Sequence, residues 1–201
     1  MSFYVSYRVV SNKLLFKTGV ANMTRVLIST AMALLLLGCS SGDWRDASRD
    51  PAGIAPDPEI EKQAIIEAYA ADAFGWRGWF AVHTWLAVKP ENASEYTVYE
   101  VVGWGVEHGR PALRIYETAT PDRYWYGAEP EKILSVSGAQ AAAMITRIEE
   151  AASRYPWANE YEVLPGPNSN TFPAWIAIQV PELGLKLPFS AIGSGYADND
   201  Q

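Results

Sequence analysis

Two nearly continuous apolar runs, at 79–88 and 96–102, constrain the fold of this chain more than any other feature. Each run is as long as a strand and rich in the β-branched and aromatic residues that strands favour, so we expect both to be buried in a sheet. The segment between them, Lys-Pro-Glu-Asn-Ala-Ser at 89–94, has the composition of a turn. The sequence therefore predicts an antiparallel hairpin.

The remaining pattern predicts an α+β domain, in which a mainly antiparallel sheet is flanked by helices. Asp57 as a cap, Pro58 in the first helical position and Gly75 as a stop indicate a first helix. A capping box at 137–140 begins the clearest helix, which ends before Pro156. The other expected elements are strands at 112–117, 123–126 and 161–164 and a short helix at 171–180.

The only cysteine, Cys39, stands directly after a hydrophobic run and Gly38. The run has the length of a signal-peptide core rather than of a membrane-spanning helix, and Arg25 supplies positive charge before it. The segment 36–39 resembles a lipobox, which implies cleavage before Cys39 and acylation of its sulfur. Residues 1–38 would then be a lipoprotein signal peptide, with Met23 as the true start. The alternative is a free buried thiol that follows an uncleaved apolar helix.

The lipobox resemblance also implies a location in the cell envelope, with the chain anchored to the membrane through acylated Cys39 and the domain in the periplasm. Ser40, rather than an aspartate, follows the cysteine, which favours the outer membrane over the inner one. Composition then predicts a flexible tether at 39–57, a single globular domain at 58–197 and a short tail at 198–201.

The charge distribution changes at the same cysteine. Four basic residues and no acidic ones precede Cys39, which leaves 12 basic and all 23 acidic residues in the mature part, a formal net charge of −11. Nucleic-acid binding requires clustered Lys and Arg, so we expect no nucleic-acid partner. No disulfide can form within the mature chain, because its only thiol would be acylated. Its stability must come from a hydrophobic core.

Several segments resemble a bacterial family known only as a domain of unknown function. The resemblance covers roughly residues 73–196 and implies no established activity. The segments that carry it are 74–85, 99–105, 121–125 and 165–172.

A second resemblance concerns the order of polar residues along the chain. Circularly permuted papain-like hydrolases and acyltransferases place a histidine on an early strand, a polar partner on the next strand and an Asn-Cys pair at the start of a late helix. His83, Glu100 and Asn168-Ser169 follow a similar order. The resemblance implies a permuted papain-like fold, with Ser169 where that family has its cysteine.

The predicted hairpin gives this hypothesis a geometry. A turn centred between Glu91 and Asn92 places His83 directly opposite Glu100, because the numbers of paired residues then sum to 183. Glu100 would orient the imidazole, His83 would act as the base, and Ser169 would be the nucleophile at a helix N-terminus. Asn168 or Asn170 would organise the site. The substrate of such a hydrolase or acyltransferase would be an envelope amide or ester.

Each of these residues also has a structural interpretation. Asn168, Ser169 and Asn170 are ordinary turn and capping residues. His83 is equally well explained as a core histidine satisfied by one hydrogen bond. Glu100 needs a partner inside an apolar strand, but a salt bridge to Arg77 or Arg114 would serve as well as His83.

We therefore retain a second hypothesis, a non-catalytic binding module with a papain-like cleft. Exposed aromatic rings and a guanidinium would bind a cell-wall glycan, peptide or lipid. His83 and His108 are the only histidines and do not have metal-ligand spacing, so we expect no metal site and no cofactor. The candidate binding residues are Trp76, Trp79, Trp104, Arg123, Trp125 and Asn170.

Overall fold

The computed structural model describes residues 44–200, with side chains to residue 198. The predicted signal peptide and Cys39 lie outside these residues. Residues 44–200 belong to one compact unit. Within residues 44–200, no helix combines the length and the apolar character needed to cross a bilayer.

Five antiparallel strands and two α-helices build the unit, which confirms the predicted α+β class. The strands lie in the sheet order β4-β3-β2-β1-β5. The strands are β1 (Ile65–Asp72), β2 (Val82–Lys89), β3 (Tyr96–Val101), β4 (Leu113–Thr118) and β5 (Glu131–Ser137), and the helices are α1 (Ala139–Ser153) and α2 (Thr171–Gln179). Short 3-10 helices occupy Gly75–Trp79, Val106–His108, Pro181–Leu183 and Ser194–Asp200.

The sheet is buried on both faces, which explains why its central strands are almost continuously apolar. One face, which we call the helical face, packs Leu86 and Tyr99 against Ile148 of α1 and Phe172 of α2. The other, which we call the cleft face, carries a second core that includes Tyr69, Trp85 and Val98. Successive residues of a strand point to opposite faces, so each strand supplies both cores.

Residues 50–56 were predicted to belong to a flexible tether, and this part of the prediction is wrong. Asp122 Oδ2 accepts hydrogen bonds from the backbone N–H groups of Ile54 and Ala55 at 2.6 and 3.0 Å. Tyr96 Oη donates to the carbonyl of Pro56 at 2.9 Å. The segment therefore lies against the cleft face and helps to bury it.

Strand β1 stands where the sequence predicted a helix from Asp57. Its Ala-rich sequence suits a helix, but burial between β2 and β5 selects a strand. The buried Glu67 carboxylate accepts from Tyr69 Oη and Ser135 Oγ and lies 2.6 Å from Lys132 Nζ. These partners compensate for burying a charge at the centre of the sheet.

The predicted hairpin forms, but its register differs from the expected one by two residues. Trp85, rather than His83, lies opposite Glu100. Asn92 has φ 63°, and its N–H donates to the carbonyl of Lys62 rather than across the hairpin, so the turn centre moves toward β3. An even shift keeps every side chain on its expected face.

The other local predictions have mixed outcomes. Helix α2 is confirmed, and so is the main part of α1, although Gly138 precedes α1 with φ 70° and no side chain caps it. The expected strand at 123–126 is reduced to isolated bridges of Arg123 with Pro51 and of Trp125 with Ala128. No strand forms at 161–164, whereas β5 was not predicted.

Candidate functional site

An aromatic cleft of about 170 Å³ opens on the cleft face of the sheet. Strands β2, β3 and β4 supply its floor, and the segment 121–126 supplies one wall. Its lining residues are Arg49, Trp85, Glu100, Trp104, Tyr116, Pro121, Arg123, Tyr124, Trp125 and Tyr126.

A chain of polar contacts runs along one side of this cleft. His83 Nε2 lies 3.2 Å from Glu100 Oε1, and Tyr116 Oη donates to Glu100 Oε2 at 3.4 Å. Arg123 Nη2 donates to Tyr116 Oη at 2.8 Å. Glu100 is thus partnered by His83 and Tyr116 rather than by an arginine, which decides between the two interpretations of this carboxylate. Burial, helped by the negative charge of Glu100, raises the pKa of Tyr116 to about 12.

Stacked rings cover the histidine. The Trp125 indole lies parallel to the His83 ring, with centroids 3.5 Å apart and an interplanar angle of 2°. Trp104 stacks on Trp125 at 5.6 Å, and Tyr126 meets Trp125 edge-on at 4.9 Å. His83 is only 5% exposed, whereas Trp104 is 53% exposed. The outer face of Trp104, rather than the imidazole, is the surface that this stack offers to a ligand.

Local contacts fix the two segments that carry these rings. Arg114, which lies opposite Glu100 on β4, donates through Nη2 to the carbonyl of Trp104 at 2.9 Å. Gly103 has no room for a side chain, because a Cβ atom there would lie 2.5 Å from the Tyr161 ring. Trp85 Nε1 donates to the carbonyl of Pro121 at 2.8 Å. The cleft is therefore held by the sheet rather than by free loops.

The structure does not bring Ser169 to His83. Thr84 Oγ1 donates to the carbonyl of Ser169 at 3.3 Å and to Asn170 Oδ1 at 3.0 Å, which places both residues on the helical face. His83 precedes Thr84 in β2 and points to the cleft face, where it meets Glu100. No hydrogen bond joins Ser169 and His83 in the part of the chain that the structure describes. The two halves of the expected triad lie on opposite faces of the sheet.

The side-chain amides of Asn168 and Asn170 connect backbone segments that are distant in the sequence. Asn168 Nδ2 donates to the carbonyls of Val163 and Ile192 at 3.0 and 3.2 Å. Asn170 Nδ2 donates to the carbonyls of Val82 and Ile192 at 3.0 and 2.9 Å. Both amides are almost fully buried. Their side chains are engaged with backbone groups.

The turn before α2 uses side chains, although not as a helix cap. Asn168 Oδ1 accepts from the N–H of Asn170 at 2.9 Å, and Thr171 Oγ1 accepts from the N–H of Asn168 at 2.9 Å. Asn170 is the residue before the helix, and its side chain makes no capping bond. The side chains of Asn168 and Thr171 therefore stabilise the turn before the helix rather than cap the helix itself. The side chain of Ser169 takes no part in either arrangement.

The other tryptophans predicted to bind a ligand lie outside the aromatic cleft. Trp76 and Trp79 belong to the 3-10 helix at Gly75–Trp79 and are 65% and 89% exposed. Trp76 lines a second cavity, together with Ser169. Among residues 44–200, no group of histidine, cysteine or acidic side chains has the arrangement of a metal site.

Sequence reasoning missed Tyr116 and Arg49 as members of the cleft. The alternation along β4 contained a signal for Tyr116, because it places Arg114 and Tyr116 on one face and Leu113 and Ile115 on the other. Without the register of β4 against β3, that signal could not be assigned to a face. Arg49 was unpredictable, because its guanidinium reaches the Tyr126 ring, 4.2 Å away, from the segment expected to be a tether.

Fold and site together define an α+β domain with an aromatic cleft that has a carboxylate and a guanidinium at its side. The chain belongs to the family described as "Protein of unknown function (DUF3750)", whose model matches residues 63–196. This confirms the resemblance to a family of unknown function. No curated protein matches the chain. No solved structure matches it either.

Proposed function

We propose that the protein is a membrane-anchored envelope lipoprotein whose domain is a non-catalytic module that binds cell-wall glycan in the aromatic cleft. Acylated Cys39 would hold it to the membrane, with the domain in the periplasm and the outer membrane favoured over the inner one. The anchor follows from the run of apolar residues, Gly38 and Cys39.

The observation that carries the binding proposal is the open face of Trp104 beside charged and hydroxyl groups. A sugar ring presents apolar C–H faces and a rim of hydroxyls, so it fits an indole surface next to hydrogen-bonding side chains. Glu100 accepts hydrogen bonds and Arg123 donates them, while Tyr116, whose proton already bonds Glu100, offers its oxygen as an acceptor. All three line the same cleft as Trp104.

The catalytic alternative loses its main support in this geometry. A general base must lie within hydrogen-bond reach of the proton it removes, directly or through one water. His83 is stacked under Trp125 on the cleft face, and Ser169 lies on the helical face. The order of His83, Glu100 and Ser169 along the chain still agrees with a permuted papain-like arrangement, but their placement favours binding over catalysis.

Binding to purified cell-wall glycan fragments tests the proposal. Trp104→Ala removes the open indole face and should weaken binding roughly 5- to 150-fold, since a well-placed aromatic contact contributes roughly 1–3 kcal/mol. Trp79→Ala is the matched control, because Trp79 is more exposed and lies outside the cleft. Equal affinities of the wild type and the Trp104→Ala variant, measured by calorimetry, would exclude the cleft as the glycan site.

A further inference from the structure

A second cavity, which we call the Ser169 cavity, lies between the 3-10 helix at Gly75–Trp79 and the turn before α2. Its volume is about 160 Å³. It shares no lining residue with the aromatic cleft. Apolar side chains supply most of its wall, namely those of Trp76, Phe80, Val82, Val163, Leu164 and Ile192.

The size of the Ser169 cavity limits what can enter it. An apolar protein cavity of roughly 150 Å³ accepts benzene, so this one accommodates about six carbon atoms. Trp76, Phe80 and Leu164 are 65%, 47% and 58% exposed, which provides an apolar rim for any longer part of a ligand. These dimensions fit a short aliphatic chain or a single ring.

Ser169 gives the cavity a polar end. The residue is only 6% exposed, and neither its hydroxyl nor its backbone N–H has a hydrogen-bond partner among the described residues. The unpartnered hydroxyl is not one of the fully buried polar atoms, so it keeps accessible surface and is free to donate to an acceptor that enters the cavity. Ser169 also precedes α2, whose N-terminus favours a negatively charged or carbonyl oxygen.

Arg77 adds a positive charge to the same wall. Its guanidinium forms no ion pair within residues 44–198, although it is exposed and lines the cavity. It lies close enough to Tyr161, another lining residue, to oppose the rise in the pKa of Tyr161 that burial causes. It complements an anion rather than a neutral head group.

We propose that the Ser169 cavity binds a monocarboxylate with an apolar body, such as a short- or medium-chain fatty acid. The carboxylate accepts hydrogen bonds from Ser169 at the N-terminus of α2 and is neutralised by Arg77. The first carbon atoms of the body fill the apolar part of the cavity. Any further carbon atoms lie over Trp76 and Leu164.

Titration of the domain 43–201 with octanoate, followed by nuclear magnetic resonance, tests this proposal. This unit is compact and has its own core, so it can be studied without the preceding residues. We expect octanoate to shift resonances around Ser169 and to bind at least ten times more tightly than octan-1-ol, which has the same chain and no charge. Equal affinity for the alcohol would overturn the proposal, and so would no saturable binding of octanoate.

Two substitutions test where the carboxylate of octanoate binds. Ser169→Ala should weaken octanoate binding roughly 10- to 100-fold, because a hydrogen bond to a charged group contributes about 1.5–3 kcal/mol. Arg77→Gln, an exposed substitution that should not affect folding, should weaken it a few-fold. Ile60→Ala is the control, because Ile60 is 80% exposed and outside the cavity. Unchanged affinity in both Ser169→Ala and Arg77→Gln would refute the site.

The exposed rings have one competing explanation, contact with a membrane surface. Wild-type protein that binds phospholipid vesicles but not octanoate, with Trp76→Ala abolishing vesicle binding, would replace the ligand site by a membrane-contact surface. Failure here leaves the glycan proposal untouched, because Trp104 and the aromatic cleft take no part in the octanoate experiment.

Discussion

Replacing Asn170 by alanine tests whether this residue holds the fold together or is free to bind a ligand. Its side chain makes three hydrogen bonds, to Val82, Thr84 and Ile192, and it is 3% exposed. At a net contribution of about 1 kcal/mol each, their loss should lower the free energy of unfolding by about 3 kcal/mol. Part of the effect will be offset, because Thr84 keeps a contact to Ser169 and Ile192 keeps one to Asn168.

Urea denaturation of the domain 43–201 measures this change. Asn159→Ala is the matched control, since Asn159 is exposed and a surface substitution should change the free energy of unfolding by less than about 0.5 kcal/mol. A double-mutant cycle with Thr84→Val isolates one bond of the set and should give a coupling energy of about 1 kcal/mol. Destabilisation by Asn170→Ala below about 1 kcal/mol would refute the structural role and reopen the assignment of Asn170 to ligand binding.

Two further predictions concern tyrosine ionisation and the anchor. Burial raises the pKa of Tyr99 and Tyr116 to about 12, so these hydroxyls resist deprotonation in the folded protein. The contribution of the two tyrosines to the free energy of unfolding should therefore be intact below pH 10 and decline between pH 10 and about 12. Absorbance and circular dichroism during an alkaline titration measure both changes. A decline confined to pH values below 9 would contradict this. Cys39→Ser should remove a lipid-sized mass increment that the full chain otherwise carries, as measured by mass spectrometry, and a wild-type chain without that increment would contradict lipid anchoring.

The sequence was most informative where one pattern had one physical meaning. The runs that became β2 and β3 are buried on both faces, so their apolar character predicted central strands correctly. The prediction for the β1 segment was wrong for the opposite reason, because its alanines and carboxylates suit a helix as well as a strand. Only the neighbouring strands and the partners of Glu67 decide between them, and two of these partners, Lys132 and Ser135, lie on β5, which was not predicted.

The candidate site likewise contains one feature that local sequence could predict and one that it could not. Whether His83 and Glu100 share a face of the sheet depends only on whether a register shift is even or odd. The actual shift is two residues, so the two side chains still lie on the same face. The position of Ser169 depended on which sheet face α2 covers, and no local pattern contains that information. Contacts with Thr84 fix it, because they connect a loop and a strand that are 85 residues apart in the chain.

The early attachment of the chain to the cleft face also limits how far the domain could travel from an anchor at Cys39. Ser48 already accepts a hydrogen bond from Gly127, and Asp50 accepts one from Tyr124. The stretch from Cys39 to Ser48, even fully extended, spans at most roughly 32 Å. A lipoprotein held in this way would sample only a thin layer next to the bilayer, and any glycan or fatty acid that it meets would have to come within that layer.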